Sequence, residues 1–144
     1  MQTRVAAARW AETWQRAWPA GDAAAIEVLY ALDASYRSSA LAEPTTGGVT
    51  AYLARQFATE QDVRCRFGKP VADGSRAAVE WWASWVEDAQ TVTLTGVTVL
   101  RFDVDGRVVD HVDYWLSAQG RQEPYPGWAS QPGPENAPDP TRHA

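Results

Sequence analysis

His111 and Asp113 stand two residues apart in a segment rich in valine and aromatic residues, which predicts a β-strand. Side chains two apart in a strand leave the same face of the sheet, so the imidazole and the carboxylate are expected to lie side by side. Such a pair suits acid–base chemistry, with Asp113 as general base and His111 as its partner or as an acid. The alternative is a buried polar pair that bonds only to Tyr36 or to the backbone and supports the fold.

The turn before this strand predicts which face of the sheet the pair occupies. Asp105-Gly106 is a favoured two-residue hairpin turn, which would pair the residues on either side of it. The same register then aligns the two strands residue by residue. The cross-strand pairs on the face of the histidine and the aspartate are Phe102–Val109, Leu100–His111, Thr98–Asp113 and Gly96–Trp115. Because this face is mainly apolar, we expect the helices to cover it and the polar pair to point toward them.

The opposite face of the same two strands is expected to be an outer surface. It carries Arg101 opposite Asp110, a cross-strand ion pair, beside a patch of β-branched and aromatic residues: Val97, Val99, Val112 and Tyr114. An apolar patch on an outer surface is typical of a protein–protein interface. We therefore expect a homodimer through the outer face of the sheet.

The residues before the hairpin predict three helices and a short strand. Apolar residues recur at three- and four-residue spacing over 4–18, and Pro19 followed by Gly21 ends that helix. Asp22 is a natural N-cap for a second helix from residue 23 to about 30. Residues 34–38 predict a short strand, and residues 49 to about 59 predict a third helix.

From residue 63 the apolar period changes from 3.6 to two, which predicts strands at 63–67, 76–86 and 91–104 before the strand that carries the histidine. Turn signals at Asp73-Gly74 and at 87–90 connect these strands in a meander. Helices followed by an antiparallel meander are typical of an α+β fold, with the N-terminal helices packed on one face of the sheet.

The strand at 76–86 has two possible orientations, because a four-residue turn does not determine its register. Either Glu80 and Trp82 face the helices, or Val79, Trp81 and Trp85 do. With Glu80 inside, two carboxyl groups would share one cavity, and one of them would be driven toward its neutral form.

Composition limits the class of protein and its partners. The 144 residues are 45% hydrophobic and 22% charged, as in a globular protein with one core. Residues 1–130 are expected to form a single domain, and the proline-rich residues 131–144 to be disordered. The net charge of −5 argues against nucleic acid and membranes as partners. The single cysteine, Cys65, fits a reducing cytoplasm.

Several motifs of cofactor and metal chemistry are missing from the sequence. There is no glycine-rich dinucleotide loop, no phosphate-binding loop and no Gly-x-Ser-x-Gly nucleophile turn. One cysteine and one strand histidine do not supply the three or four ligands of a zinc site. We therefore expect neither a cofactor nor a metal.

The stretch from Gly96 to Trp115, with helices before it, resembles the nuclear transport factor two-like superfamily, and in particular its SnoaL-like branch. The resemblance also covers Ala-Gly-Asp at 20–22, Tyr-Arg-Ser at 36–38, Ala-Ala-Val-Glu-Trp-Trp at 77–82 and Glu-Pro-Tyr-Pro-Gly-Trp at 123–128. It implies a curved antiparallel sheet around a cone-shaped cavity that helices close, and commonly a dimer through the outer face of the sheet.

Members of this superfamily include polyketide cyclases, ketosteroid isomerases, limonene epoxide hydrolases and non-catalytic binding modules. In several of these enzymes a carboxylate on the last strand faces the cavity and moves a proton, and Asp113 matches that position. Tyr36 matches a tyrosine that positions water in the epoxide hydrolases. Ser38 stands where those enzymes have an asparagine, and Ala78 where an arginine is needed, so the match to epoxide hydrolysis is incomplete.

The resemblance thus implies a cofactor-independent isomerase or cyclase that moves a proton on a hydrophobic cyclic or polyketide-like small molecule. Asp113 would be the base, His111 its orienting partner or an acid, and Tyr36 a donor to the developing oxyanion. The side chains expected to bind substrate are Trp14, Ser38, Glu80, Trp82, Thr98, Leu100, Phe102 and Trp115. The alternatives are a binding protein for an apolar small molecule, an epoxide hydrolase-like enzyme, or a structural dimer whose own tryptophans fill the cavity.

Overall fold

The computed structural model describes residues 1–130, and the predicted disorder of 131–144 lies outside the described residues. The α+β fold is confirmed, with the helices in the N-terminal part and a sheet of six strands, one more than the five that the sequence predicts, because the short strand at 71–73 was not anticipated. The elements in chain order are helices α1 (Thr3–Ala20) and α2 (Ala23–Glu27), strand β1 (Tyr30–Arg37), helix α3 (Gly48–Thr59), strands β2 (Gln61–Phe67), β3 (Val71–Asp73), β4 (Arg76–Glu87), β5 (Gln90–Phe102) and β6 (Val108–Gln119), and a 3₁₀ turn (Trp128–Ser130). No helix among residues 1–130 is long and apolar enough to cross a membrane.

Helix α1 is held against the sheet by a stripe of alanines and tryptophans, which buries Trp10 and Trp14. It ends at Gly21, whose φ of 66° is the left-handed conformation that glycine adopts most easily. Asp22 then caps α2 by accepting a hydrogen bond from the Ala25 amide at 3.2 Å, as predicted from its position.

Helix α2 is shorter than the predicted 23–30, because Tyr30 belongs to the first strand. The Val108 amide donates to the carbonyl of Leu29 at 2.9 Å, and Tyr30 is paired with Val108 in the sheet. Pairing with a distant strand therefore overrides the helical pattern of this short alanine-rich segment.

The sheet is mixed, which corrects the expectation of a wholly antiparallel one. Its strand order is β1-β6-β5-β4-β2, with β3 paired to the first residues of β4. The meander from β4 to β6 is antiparallel, but β1 lies parallel to β6, with Tyr36 beside His111. Parallel neighbours need a long connection, and here the chain between β1 and β6 includes α3 and four strands. Sequence patterns within each strand carry no information about such a distant pairing.

The β5–β6 hairpin keeps the predicted register but not the predicted turn. Leu100 is opposite His111 and the next inward pairs follow, yet Phe102 is opposite Val108 instead of Val109. The loop is five residues long because the Asp103 carboxylate accepts from the amides of Asp105 and Arg107, and a bulge restores the register.

The outer face of the sheet exposes apolar side chains where the dimer is predicted. Tyr114 and Leu116 are 51% and 75% exposed, and Val97 is half-buried between them and Glu80. Dimerisation through this face stays a prediction.

Candidate active site

A cavity of about 560 Å³ lies between the inner face of the sheet and helices α1 and α3. Six of the eight tryptophans line it, so the cavity is aromatic but not filled by them. Its wall consists of Trp10, Trp14, Trp18, Tyr36, Ser38, Tyr52, Gln56, Phe57, Glu60, Phe67, Trp81, Trp85, Glu87, Asp88, Gln90, Val92, Leu94, Thr98, His111, Asp113, Trp115 and Ser117. The exposed members of this set lie near the β4–β5 turn and the end of β6, which makes that side the mouth.

A chain of buried hydrogen bonds begins at Tyr30, at the closed side of the cavity. The indole N–H groups of Trp10 and Trp14 both donate to the Tyr30 hydroxyl, at 3.0 and 3.2 Å. The same hydroxyl lies 2.9 Å from Nδ1 of His111. A phenol oxygen has two lone pairs and one proton. Since the two indoles occupy the lone pairs, the proton of Tyr30 is donated to His111.

This donation determines the tautomer of His111. Nδ1 accepts from Tyr30, so the ring proton is on Nε2, which lies 2.8 Å from Oδ1 of Asp113. His111 is therefore a neutral imidazole that donates to the Asp113 carboxylate. Its ring also stacks on Tyr36, with centroids 4.0 Å apart and planes inclined by 26°.

Asp113 receives a second hydrogen bond from the neighbouring strand. The Trp81 indole donates to the Thr98 hydroxyl at 2.9 Å, and that hydroxyl donates to Oδ1 of Asp113 at 2.6 Å. Oδ1 thus accepts two hydrogen bonds, one from the His111 ring and one from the Thr98 hydroxyl. The other oxygen, Oδ2, has no hydrogen-bond partner among residues 1–130, and Asp113 lines the cavity. The arrangement can accept a proton from a bound molecule.

Two phenols lie beside this carboxylate. Burial raises the pKa of Tyr36 well above its usual value, and the Tyr52 phenol and the Asp113 carboxylate raise it further. Burial, followed by the charge of Asp113, likewise raises the pKa of Tyr52. Both phenols stay protonated at neutral pH, and the two side chains also hydrogen-bond to each other. One proton of the pair is therefore available to donate to an oxygen of a ligand.

The structure brings most of the sequence-predicted site residues to the cavity. Those in its wall are Trp14, Tyr36, Ser38, Thr98, His111, Asp113 and Trp115. Trp115 is fixed by its indole, which donates to the Ser38 carbonyl at 2.7 Å. Leu100 and Phe102 face the helices as predicted, but they are buried in the core and do not line the cavity.

Glu80 and Trp82 are on the opposite face of the sheet, which corrects their expected place beside the substrate. The β4–β5 turn consists of Asp88 and Ala89, both with left-handed φ near 51–62°, and it aligns Trp81 and Trp85 with the inner face. Glu80 is exposed there. Trp82 is covered instead by the chain after β6, where its indole donates to the Gln122 carbonyl.

The sequence did not predict two residues of the candidate site, Tyr30 behind the cavity wall and Glu60 in it. Tyr30 was assigned to the end of a helix, and only its distant pairing with β6 reveals its role. Glu60 directly follows α3, and no local pattern distinguishes it from a solvent-exposed acidic residue.

Glu60 lies near the mouth, where its Oε1 accepts from the Trp18 indole at 2.7 Å. Burial raises the pKa of its carboxyl to about 7, against the lowering effect of the Trp18 hydrogen bond, and the nearby Glu87 adds to the increase. Trp18 packs on Trp85, with ring centroids 5.8 Å apart. The buried indole nitrogen of Trp85 has no hydrogen-bond partner among the described residues.

Within residues 1–130, no three His, Cys, Asp or Glu side chains cluster in a way that would hold a metal ion. The one cysteine, Cys65, is only partly buried, and burial raises the pKa of its thiol to about 12. A thiol with so high a pKa is a poor nucleophile at neutral pH.

Solved structures share this fold at low sequence identity. A Catenulispora acidiphila protein with a ketosteroid isomerase-like fold, in complex with trimethylamine, is 21% identical and aligns with a TM-score of 0.63 over 72% of this chain and 82% of its own. The epoxide hydrolase/cyclase-like enzyme SalBIII, described in pyran ring formation in the polyether salinomycin, is 18% identical, with a TM-score of 0.64 over 79% and 90%. RV0760c of Mycobacterium tuberculosis is 16% identical, with a TM-score of 0.66 over 83% and 100%.

A comparison with curated protein sequences found no significant match. The family model of the SnoaL-like domain, in contrast, matches residues 9–111, which is well over half of the chain. The curved open sheet and its helices agree with that match, as does the fold of the solved structures. The chain belongs to the SnoaL-like domain family, within the nuclear transport factor two-like superfamily.

Proposed function

We propose that this protein is a cofactor-independent enzyme that moves a proton at a carbon next to a carbonyl group in a hydrophobic cyclic molecule. The observation that carries the proposal is the hydrogen-bond chain from Tyr30 through His111 to Oδ1 of Asp113, a residue of the cavity wall whose Oδ2 has no hydrogen-bond partner among residues 1–130. A carboxylate held by two donors and surrounded by aromatic rings has the properties of a general base.

The proposed reaction starts with the ligand ring among the tryptophans and its acidic C–H beside Oδ2 of Asp113. The carboxylate removes the proton, and the electrons of the C–H bond move into the carbonyl to form an enolate. Tyr36 or Tyr52 donates a hydrogen bond to the enolate oxygen. If a C=C bond adjoins the deprotonated carbon, the enolate extends over it, and return of the proton from Asp113 to the far carbon of that bond completes an isomerisation. If the enolate carbon instead attacks a second carbonyl, the new alkoxide oxygen takes the proton back from Asp113, which completes a cyclisation.

His111 acts in this mechanism by orienting the base. Its Nε2–H group is committed to Asp113 and its Nδ1 is occupied by Tyr30, so it has no free nitrogen for the substrate. Of the two roles predicted for His111, the geometry supports that of orienting partner. The carboxylate–imidazole–phenol order also keeps the proton acceptor aimed in one direction during turnover.

The other predicted activities have less support. The match to epoxide hydrolysis is incomplete at Ser38 and Ala78, and Glu80, the second carboxyl group considered for the cavity, is exposed on the outer face. A purely structural role agrees poorly with an open cavity of about 560 Å³. A binding protein without turnover remains the alternative, since the same cavity would serve it.

The test uses 2-tetralone, a bicyclic ketone with acidic C–H groups beside its carbonyl. Exchange of these protons in D2O is followed by NMR with wild-type protein and with Asp113→Asn, which keeps the shape of the side chain. We expect wild-type protein to accelerate the exchange and Asp113→Asn to lose roughly 10²-fold or more of the acceleration. Asp110→Asn, on the outer face of the same strand, is the matched control and should keep full activity.

Equal acceleration by wild type and Asp113→Asn would show that Asp113 is not the base. A protein that binds 2-tetralone without accelerating the exchange would favour the non-catalytic alternative.

A further inference from the structure

The charges on the cavity wall all have one sign. Four carboxyl groups line the described cavity, and no lysine or arginine does, although the chain has 13 of these basic residues. Asp113 is at the closed side, and Glu60, Glu87 and Asp88 are at the mouth. His111, the one histidine of the wall, is a neutral donor. An anionic ligand would therefore enter the cavity against like charges with no basic partner.

The rest of the wall is mainly aromatic. Six tryptophans, two tyrosines and two phenylalanines line the same space, and two of the tryptophans, Trp18 and Trp85, adjoin the acidic mouth. The faces of aromatic rings carry partial negative charge and attract cations, tryptophan most strongly. Ring faces and carboxylates together favour a ligand that is both apolar and positively charged.

No ion pair among the described residues compensates the charge of the acidic groups at the mouth. Glu60 accepts one hydrogen bond from Trp18, and Glu87 accepts one from the Thr59 hydroxyl at 3.2 Å. Neither of them, nor Asp88, forms an ion pair with a basic residue among residues 1–130. A half-buried carboxylate beside a second one is unfavourable, which agrees with the raised pKa of Glu60. A bound cation would relieve this cost.

We propose that the cavity selects a hydrophobic cation, a ring-containing amine whose ammonium group binds beside Glu60 and Glu87 while its apolar body lies against the tryptophans. The proposal rests on the proposed function in one respect, that this cavity is the substrate site. In that case the substrate carries two functional groups: a carbonyl with an acidic C–H next to Asp113, and an amine toward the mouth. The same charges disfavour the binding of phosphorylated and carboxylated substrates.

The test compares three probes that share one bicyclic body and differ in charge: 2-aminotetralin, 2-tetralol and tetralin-2-carboxylate. Their affinities are measured by calorimetry at pH 8, above the pKa of Glu60, where the amine is still protonated. We expect the amine to bind roughly five- to tenfold more tightly than the alcohol, and the carboxylate to bind more weakly than either. A higher salt concentration should weaken the binding of the amine to wild-type protein and leave the affinity for the alcohol unchanged.

The site of the cation is located with matched variants. Glu60→Gln keeps an oxygen to accept from Trp18, and it should remove most of the preference for the amine without changing the affinity for the alcohol. Glu80→Gln removes an equal charge from the outer face and should change neither affinity. If Glu60→Gln does not fold, the salt dependence of wild-type binding still tests the charge preference.

Three results would overturn the proposal. One is an alcohol affinity equal to or above that of the amine in wild-type protein. Another is loss of amine binding in Asp113→Asn but not in Glu60→Gln, which would place the cation at the closed side. The third is the failure of all three probes to bind. Binding of these probes does not require Asp113 to remove a proton. The outcome is therefore independent of the exchange test with 2-tetralone.

Discussion

The Tyr30 hydroxyl donates a hydrogen bond to Nδ1 of His111 over 2.9 Å, because two indoles already occupy its lone pairs. The two residues are 81 positions apart in the sequence, on neighbouring strands β1 and β6. Burial raises the pKa of Tyr30 far above its usual value, so the phenol keeps its proton. Because an indole N–H can only donate, the directions of the hydrogen bonds from α1 through Tyr30 and His111 to Asp113 all follow from the two tryptophans.

Tyr30→Phe should break the series of hydrogen bonds from Trp10 and Trp14 to His111. The variant removes the donor to His111 and leaves the indole N–H groups of Trp10 and Trp14 without an acceptor, which costs about 1–3 kcal/mol for each buried group left unpaired. We expect a lower free energy of unfolding in denaturant titrations and at least tenfold slower proton exchange on 2-tetralone. The ¹⁵N shifts of the His111 ring should show a mixture of tautomers. A ring that keeps its single tautomer in the variant would contradict the assigned direction.

Thr98→Val should show whether the Thr98 hydroxyl holds the Asp113 carboxylate in place for catalysis or only packs in the core. Valine has the shape of threonine but cannot donate to Asp113 or accept from Trp81, so both buried groups lose a partner. We expect a loss of about 1–3 kcal/mol in the free energy of unfolding and slower exchange on 2-tetralone. Thr95→Val is the control, since that hydroxyl is exposed on the outer face and bonds only to the Trp81 carbonyl. The two variants behaving alike would argue against a role for Thr98 in holding the base.

Tyr36→Phe should affect turnover more than binding. The phenyl ring preserves the stacking on His111, while the loss of the hydroxyl removes a donor to the enolate oxygen. We expect kcat for the exchange on 2-tetralone to fall roughly tenfold or more, with KM nearly unchanged. If Tyr52→Phe has this effect and Tyr36→Phe does not, Tyr52 is the oxyanion donor.

The stability of the protein should depend on pH through Glu60. Its pKa is about 7 in the folded state and near 4.5 when unfolded, so the folded protein binds more protons between these values. Stability contributed by the neutral carboxyl therefore falls as the pH rises from about 4.5 to about 7, by at most about 3 kcal/mol, and by less because Glu60 is partly exposed. Glu60→Gln should lose this slope and be more stable than wild type at pH 8. Parallel stability curves for the two proteins from pH 4 to 8 would contradict the assignment.

The sequence by itself determined the parts of this protein that depend on neighbouring residues. The apolar periods predicted α1, α3 and the long strands, and the Asp105-Gly106 signal placed His111 and Asp113 on the covered face. The predicted register of the inward pairs is correct even though the loop is longer than predicted. Burial of one face determines which residues point inward, and the bulge accommodates the extra residues of the loop.

Only the tertiary structure decided the remaining parts, because they depend on contacts between distant segments. The parallel pairing of β1 with β6 brings Tyr30 to His111 and converts a pair of polar residues into a directed hydrogen-bond chain. The turn between β4 and β5 places Glu80 on the outer face of the sheet. The carboxyl group of Glu60, at the end of helix α3, lines the cavity instead. Side-chain periodicity in the sequence specifies which face of a helix or strand is buried. Which residues then meet across the cavity depends on how the helices pack on the sheet.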